Sequence, residues 1–176
     1  MPEKFIYKQK ERKLAIDLAN TPAFQRLQQV SFLGVIDYYN YKRSISNTWY
    51  FNRADHVRGV LLLSNILIDN IELDEVDRLY VIATAICHDF GHSPFSHSSE
   101  KAFIRLNPNI DHHKVLRFVL EDEKYGVRHQ LDKYKLDFER VISITEGTDN
   151  YLSWVFHNPI NVDTLDGMWR FLLSFR

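Results

Sequence analysis

The chain has 176 residues, of which 45% are hydrophobic and 14% are aromatic, which supports one buried core and leaves no room for a second large domain. Its net charge of -1, from 22 basic and 23 acidic residues, provides no overall field that would draw nucleic acid or an anionic membrane. The charged N-terminus lacks the apolar segment of a signal peptide, and no apolar run reaches membrane-spanning length. We therefore expect a cytoplasmic protein with an N-terminal segment at residues 1–20 and a single domain at residues 21–176.

The first part of the chain predicts short elements on either side of a proline. Residues 1–20 end in LAIDLAN, which fits a short helix or a strand. Thr21 and Pro22 are typical of a helix start, because the threonine side chain caps the first N–H groups and the fixed φ of proline suits the first turn. The apolar spacing predicts that this helix continues until Gly34 ends it.

Helical periodicity fails between residues 35 and 52, which predicts an irregular loop or a short hairpin. Aromatic residues and the basic pair Lys42-Arg43 alternate with polar groups in this segment. Such a composition fits a flap that buries its rings, and it also fits a surface that stacks a nucleobase and neutralises phosphate.

Two helices are predicted next, one beginning at Arg53 and a central one running from Glu75 to Asp89. The central helix contains the apolar run VIATAIC. The single cysteine, Cys87, lies in that run, so a buried thiol is favoured over a nucleophile, and an internal disulfide is excluded.

The central helix ends in a cluster of side chains that bind metals. A buried charge is costly unless it is paired or bound to a metal, so His88 and Asp89 indicate ligands of a divalent cation. His92 lies on the same helical face as His88. The Ser93-Pro94 pair predicts a new helix start that turns His97 back towards the same place. Four such groups beside an apolar run favour a functional site over histidines that are merely hydrogen-bonded.

Three further helices complete the expected all-α fold, and the first of them starts after Asp111-His112-His113 with KVLRFVL. Residues 131–147 form an amphipathic pattern to which we assign packing only. A last helix is predicted from Asp163, a residue type that is common as a helix N-cap. The apolar C-terminal end fits either the closing helix of the core or a contact in a homo-oligomer.

The stretch HDFGHSPFSH at residues 88–97 resembles the core of the HD-domain metal-dependent phosphohydrolases. The resemblance is closest to the branch that contains the deoxynucleoside triphosphate triphosphohydrolases, and it runs from about Thr21 to Trp169. It implies a helical bundle built around a metal site, and an enzyme that hydrolyses phosphate bonds of nucleotides.

The resemblance also implies roles for individual residues. The implied metal ligands are His56, His88, Asp89 and Asp163. Nitrogen and carboxylate ligands of this kind suit Mn, Fe, Ni, Co, Zn or Mg, and the metal would polarise a phosphoryl oxygen and acidify water. The implied substrate contacts are Arg53, His97 and His113, and the implied catalytic residues are His92, His112 and Asp166.

The identity of the acid–base histidine stays open. His112 is the better match to the active-site histidine of the family, and His113 stands where glutamate is usual. His92 is an equal candidate for acid–base work, because an imidazole titrates near neutral pH.

Three positions depart from the pattern of the family. Phe32 replaces a glutamine that helps to read the nucleobase, while Thr164 and Gly167 replace a lysine and a tyrosine that contact phosphate. The leading hypothesis is hydrolysis of (deoxy)nucleoside triphosphates to nucleoside and triphosphate. The alternatives are a nucleoside 5'-monophosphatase or small phosphodiesterase, and a catalytically weak protein that binds nucleotide or nucleic acid.

Overall fold

The computed structural model describes residues 9–34, 51–94, 99, 105–107 and 112–174. Regular structure within these ranges is helical, as the all-α prediction expects, and an isolated antiparallel bridge joins Ser31 to Asn52. The elements are α1 (Gln9–Ala19), α2 (Pro22–Leu27), α3 (Arg53–Ile68), α4 (Glu75–Cys87), α5 (His112–Glu121), a 3-10 helix (Glu123–Tyr125), α6 (Val127–Lys133), α7 (Phe138–Thr145), α8 (Trp154–His157) and α9 (Val162–Ser174).

Helix α4 is the centre of the fold. All of its residues from Arg78 to Cys87 are buried, and it packs against α1, α3 and α7. A helix that is apolar on every side is stable only when other elements surround it. Its start is fixed by Asp74, whose side chain accepts a hydrogen bond from the backbone N–H of Asp77 at 2.7 Å.

Helix α1 packs into the same core, although it lies in the predicted N-terminal segment. Leu14 and Leu18 are fully buried. Glu11 is also buried and accepts a hydrogen bond from Arg78 Nε at 2.5 Å, so an ion pair ties α1 to α4. The division of the chain at residue 21 stays a prediction.

Helix α3 begins at Arg53, as the sequence predicts. Asn52 accepts a hydrogen bond from the backbone N–H of Asp55 at 2.9 Å, and the Asp55 side chain accepts one from the backbone N–H of Asn52 at 3.2 Å. This capping box fixes the first turn of α3. That turn carries His56 into the interior, where it is 1% exposed.

Two sequence predictions about helix length are wrong. The helix that begins at Pro22 ends at Leu27 and does not reach Gly34. The backbone N–H of Ser31 bonds to Pro94 O at 3.2 Å, so this part of the chain pairs with a distant segment and cannot continue the helix.

The amphipathic pattern at residues 131–147 belongs to two helices, α6 and α7. Between them Lys135 has a φ of 58°, in the left-handed region, and the backbone N–H of Leu136 returns to Leu131 O at 3.0 Å. Asp137 then caps α7 by accepting from the backbone N–H of Glu139. Apolar periodicity does not detect such a break, because both helices place their apolar residues towards the same core.

Several predicted features lie outside the described residues. They are most of the aromatic-rich segment at 35–52, most of the helix expected after Ser93-Pro94, and His97. Among the helices that the structure does describe, none is both long enough and apolar enough to cross a bilayer.

Candidate active site

Three helices bring together side chains of the types that bind metals. His56 from the first turn of α3, His88 at the end of α4 and Asp163 from the first turn of α9 each place one ligand atom within 4.8 Å of the others. Asn161 Oδ1 accepts from the backbone N–H of Thr164 at 2.8 Å and so caps α9. Asp163 is therefore not needed as a cap, and its carboxylate joins the cluster.

The outer nitrogens of both histidines are held by hydrogen bonds. His88 Nδ1 lies 3.0 Å from Ala85 O, and His56 Nδ1 lies 2.7 Å from Asp166 Oδ2. Since a carbonyl and a carboxylate only accept, Nδ1 carries the proton in each pair. Such an outer contact is typical of metal-binding histidines, because it fixes the ring and directs Nε2 towards the metal.

The inner nitrogens of these histidines fit a cation. His56 Nε2 and His88 Nε2 are buried, and neither has a hydrogen-bond partner among the described residues. His56 Nε2 lies 2.8 Å from Asp163 Oδ1 but without the alignment of a hydrogen bond. Buried polar atoms without a partner are rare and costly, and two imidazole nitrogens beside a carboxylate oxygen form a suitable ligand set for a divalent cation.

Asp89 lies beside this cluster. Its carboxylate oxygens are 3.6 Å from the Nε2 atoms of His56 and His88, and they also contact Arg53 at 2.8 Å and His92 at 3.1 Å. Burial raises the pKa of Asp89, but His88, Arg53 and His92 outweigh burial and hold the pKa well below its ordinary value. Asp89 is therefore ionised, and its role as a fourth ligand stays a prediction.

The cluster stabilises positive charge at His56. Burial lowers the pKa of this imidazole, but Asp163, Asp166 and Asp89 more than compensate and raise the pKa to about 9. The carboxylates thus favour a cation next to this ring. A bound divalent ion would take the place of the proton on Nε2.

A cavity of about 610 Å³ opens over the cluster, which is within the size range of small-molecule sites. Its floor carries the histidines and carboxylates, together with Arg53. Its wall is largely apolar and includes Phe32, Leu33, Phe156, Met168 and Phe171. The cavity therefore combines a charged floor with a surface suited to an apolar or aromatic group.

Most of the predicted substrate and catalytic residues line this cavity. Arg53, His92, His112 and His113 all do so. The rings of His92 and His112 are stacked, with centroids 5.6 Å apart and an interplanar angle of 7°, and His113 lies 4.0 Å from His112. Asp166 is different, because it lies behind His56 and away from the cavity.

Two contacts position the turn that follows α4 and leads into His92 against α5. A Cβ atom built on Gly91 would lie 2.1 Å from His112 O, so only glycine permits this approach. Arg26 of α2 donates to Phe90 O at 2.6 Å and to His92 O at 2.7 Å. Arg26 had no role assigned from the sequence, and the structure shows that its guanidinium holds this turn.

Six residues that line the cavity had no role assigned from the sequence: Leu33, Thr145, Phe156, His157, Met168 and Phe171. His157 Nε2 lies 2.6 Å from Thr145 O, and the Phe156 ring lies 6.3 Å from the ring of His88. Thr145 falls in the segment that was assigned to packing only. His157 follows an apolar pair and belongs to no sequence motif, so only the tertiary structure reveals that it lines the cavity.

The comparison with family models identifies an HD domain at residues 53–146. The match covers Arg53 and the motif at residues 88–92. It also includes His112, while Asp163 lies beyond its end.

Individual relatives match most of this chain. The uncharacterized protein YwfO of Bacillus subtilis is 29% identical over 168 residues, which cover 90% of this chain and 36% of that protein. Human deoxynucleoside triphosphate triphosphohydrolase SAMHD1 is 26% identical over 170 residues, covering 90% of this chain and 25% of that protein. Its homolog in Dictyostelium discoideum is 30% identical over 177 residues, which cover 88% of this chain and 32% of that protein.

The chain spans between a quarter and just over a third of the length of these three relatives. The family match itself covers more than half of the chain and contains the helices that carry His56 and His88. The family expected from the motif at residues 88–97 is thus confirmed, and the chain belongs to the HD domain family.

Proposed function

We propose that this HD domain is a phosphohydrolase that depends on a divalent metal and acts on nucleotides. The observation that carries the proposal is the pair of buried nitrogens, His56 Nε2 and His88 Nε2, which face Asp163 at the floor of a cavity. The names of two relatives, which state deoxynucleoside triphosphate triphosphohydrolase activity for those proteins, support nucleotides as the substrate class.

His56, His88 and Asp163 would hold the cation, with Asp89 as the fourth proposed ligand. When bound, a divalent cation supplies Lewis-acid polarisation of a phosphoryl oxygen and lowers the pKa of a water molecule. Manganese, iron, nickel, cobalt, zinc and magnesium all suit this mixture of nitrogen and oxygen ligands.

Proton transfer is assigned to the stacked histidines. His92 Nε2 lies 3.1 Å from Asp89 Oδ1, so a proton on this nitrogen has a carboxylate acceptor. His92 or His112 would donate this proton to the leaving oxygen of the substrate or hold the attacking water. Arg53, which lines the cavity, would neutralise phosphate charge, and His113 and His97 are the other proposed substrate contacts.

The leading substrates are (deoxy)nucleoside triphosphates, hydrolysed to nucleoside and inorganic triphosphate. The apolar wall of the cavity suits the nucleobase, because an aromatic ring can stack or pack against Phe32, Phe156 or Phe171. Water adds across the bond between the nucleoside oxygen and the first phosphorus, and the nucleoside leaves.

A nucleoside 5'-monophosphatase or a small phosphodiesterase is the second candidate. Thr164 and Gly167 line the cavity, and they stand where the resemblance implies a lysine and a tyrosine that contact phosphate. Without those two side chains the site offers less support for a triphosphate. A cytoplasmic location and a homo-oligomeric state stay predictions, the latter resting on the exposed apolar residues Met168, Trp169 and Leu172 of α9.

The test is a product assay with the purified, Mn²⁺-loaded protein and a panel of nucleoside tri- and monophosphates and small nucleotide phosphodiesters. Asp163→Ala is the blank, because this side chain is 46% exposed and its loss leaves the core intact. Nucleoside plus triphosphate, absent in the blank, would support the leading reaction. Orthophosphate from monophosphates would support the second candidate, and nucleotide binding without any turnover would overturn both in favour of a binding protein.

A further inference from the structure

We propose that Asp166 and Arg170 of α9 form a positioning pair that fixes the orientation and the tautomer of His56. The inference rests on the proposed metal centre, because His56 is one of its ligands. Asp166 is 6% exposed and does not line the cavity. It acts through His56 and has no access to substrate.

Asp166 contacts His56 directly. Asp166 Oδ2 lies 2.7 Å from His56 Nδ1, and both residues are buried. A carboxylate oxygen accepts, so the proton of this contact stays on Nδ1 and the opposite nitrogen, Nε2, faces Asp163 and His88. A neutral imidazole with this tautomer presents a lone pair to a cation.

Arg170 holds the carboxylate of Asp166 in place. Its Nε donates to Asp166 Oδ2 at 2.6 Å, and its terminal nitrogen lies 3.2 Å from Asp166 Oδ1. The same terminal nitrogen donates to the backbone oxygen of Asp55 at 2.5 Å. The planar guanidinium therefore joins Asp166 to the residue that precedes His56, a geometry that lysine cannot reproduce.

The absence of a side chain at Gly59 leaves room for Asp166 and Arg170. A Cβ atom built on Gly59 would lie 1.7 Å from Asp166 Oδ1 and 2.7 Å from a terminal nitrogen of Arg170. Helix α3 thus presents bare backbone at the point where α9 inserts this carboxylate. The backbone of α3 at Gly59 and the side chains of Asp166 and Arg170 therefore pack together beside the His56 imidazole.

The first measurement is Mn²⁺ affinity by titration calorimetry. Removal of an outer partner of a metal-binding histidine weakens metal binding by about 10- to 100-fold. We expect a loss in this range for Asp166→Ala and for Arg170→Gln. Asp166→Asn, which retains an acceptor for Nδ1, should recover part of the affinity, and Arg170→Lys should recover little.

The second measurement does not need the metal. In ¹⁵N-histidine-labelled, metal-free protein, the His56 Nδ1–H proton should give a downfield, slowly exchanging NMR signal in the wild type. Asp166→Ala should abolish that signal, and Arg170→Gln should speed its exchange. If the wild type binds no Mn²⁺, the proposed metal centre fails, while this signal still decides the positioning role.

Arg140→Gln is the matched control. Arg140 also joins two carboxylates, Asp77 at 2.8 Å and Asp149 at 3.2 Å, but it does not line the cavity. This variant should lose stability and keep the Mn²⁺ affinity and the His56 signal of the wild type. The inference is overturned if Asp166→Ala and Arg170→Gln bind Mn²⁺ within twofold of the wild type or keep the protected His56 proton.

Discussion

Arg53 donates a hydrogen bond to Asp89 at 2.8 Å, and their side chains are only 5% and 6% exposed. The pair joins the first turn of α3 to the turn after α4, which are the two places that supply His56 and His88. Taking both charges out of water is costly, so neither residue tolerates the loss of the other. The same contact therefore links the stability of the fold to the charge of the site.

Replacement of Arg53 by glutamine should lower the free energy of unfolding by about 3 kcal/mol, because Asp89 would stay buried without its guanidinium partner. Urea unfolding in the presence of a chelator measures this value without a contribution from bound metal. Arg58→Gln is the control, since the exposed pair of Arg58 and Asp55 should contribute less than about 1 kcal/mol. An equal decrease in the free energy of unfolding in the two variants would contradict the prediction.

Two glycines should respond to alanine with opposite signs. Gly91→Ala places a methyl group 2.1 Å from His112 O, and we expect a loss of about 1–3 kcal/mol in stability from overpacking against backbone. Gly167 lies within α9 and its nearest neighbour would be Phe32 Cζ at 3.8 Å, so Gly167→Ala should gain about 0.5–1 kcal/mol from helix propensity. Urea unfolding of both variants provides the test, and destabilisation by Gly167→Ala would refute it.

The ionisation of Asp149 should make the stability of the protein depend on pH in the acidic range. Burial raises the pKa of this carboxyl, but the backbone N–H groups of Leu152 and Tyr151 and the side chain of Arg140 lower it below the ordinary value of 3.8. The folded state therefore gains stability from ionised Asp149 above about pH 4, and loses it as the pH falls through the folded pKa.

The corresponding variant is Asp149→Asn. It should be less stable than the wild type at pH 7, and the difference in free energy of unfolding should narrow as the pH falls below about 4. Urea unfolding at intervals from pH 3 to pH 7 measures the difference. A gap that is constant over this range would show that the charge of Asp149 contributes nothing.

Sequence patterns predicted the features that depend on residues close to one another in the chain. The Thr21-Pro22 start and the start of α3 at Arg53 follow from local hydrogen-bonding rules, and the structure confirms both. The family expected from residues 88–97 is also confirmed. These features are encoded within a few residues of one another.

Other features depend on contacts between distant segments and were not predictable. The early end of α2 follows from pairing of Ser31 with Pro94, and the break at Lys135 follows from a positive φ that no glycine marks. The family resemblance grouped Asp166 with the catalytic residues. Only the approach of α9 to Gly59 shows that its carboxylate lies behind His56.

Cys87 should be unreactive in the folded protein. It is completely buried in α4, and burial raises the pKa of its thiol well above the ordinary value, so almost no thiolate forms at neutral pH. A colorimetric thiol reagent should therefore react at less than about one hundredth of the rate seen in urea. Rapid reaction of the native protein would contradict the placement of α4 at the centre of the core.

The most direct test of the proposed metal centre is a calorimetric titration of metal-free protein with Mn²⁺. We expect one ion per chain for the wild type, loss of binding for His88→Ala, and strongly weakened binding for Asp163→Ala. His157→Ala, which removes a histidine from the cavity wall but not from the cluster, should bind as the wild type does. Unchanged Mn²⁺ binding in His88→Ala and Asp163→Ala would contradict the account.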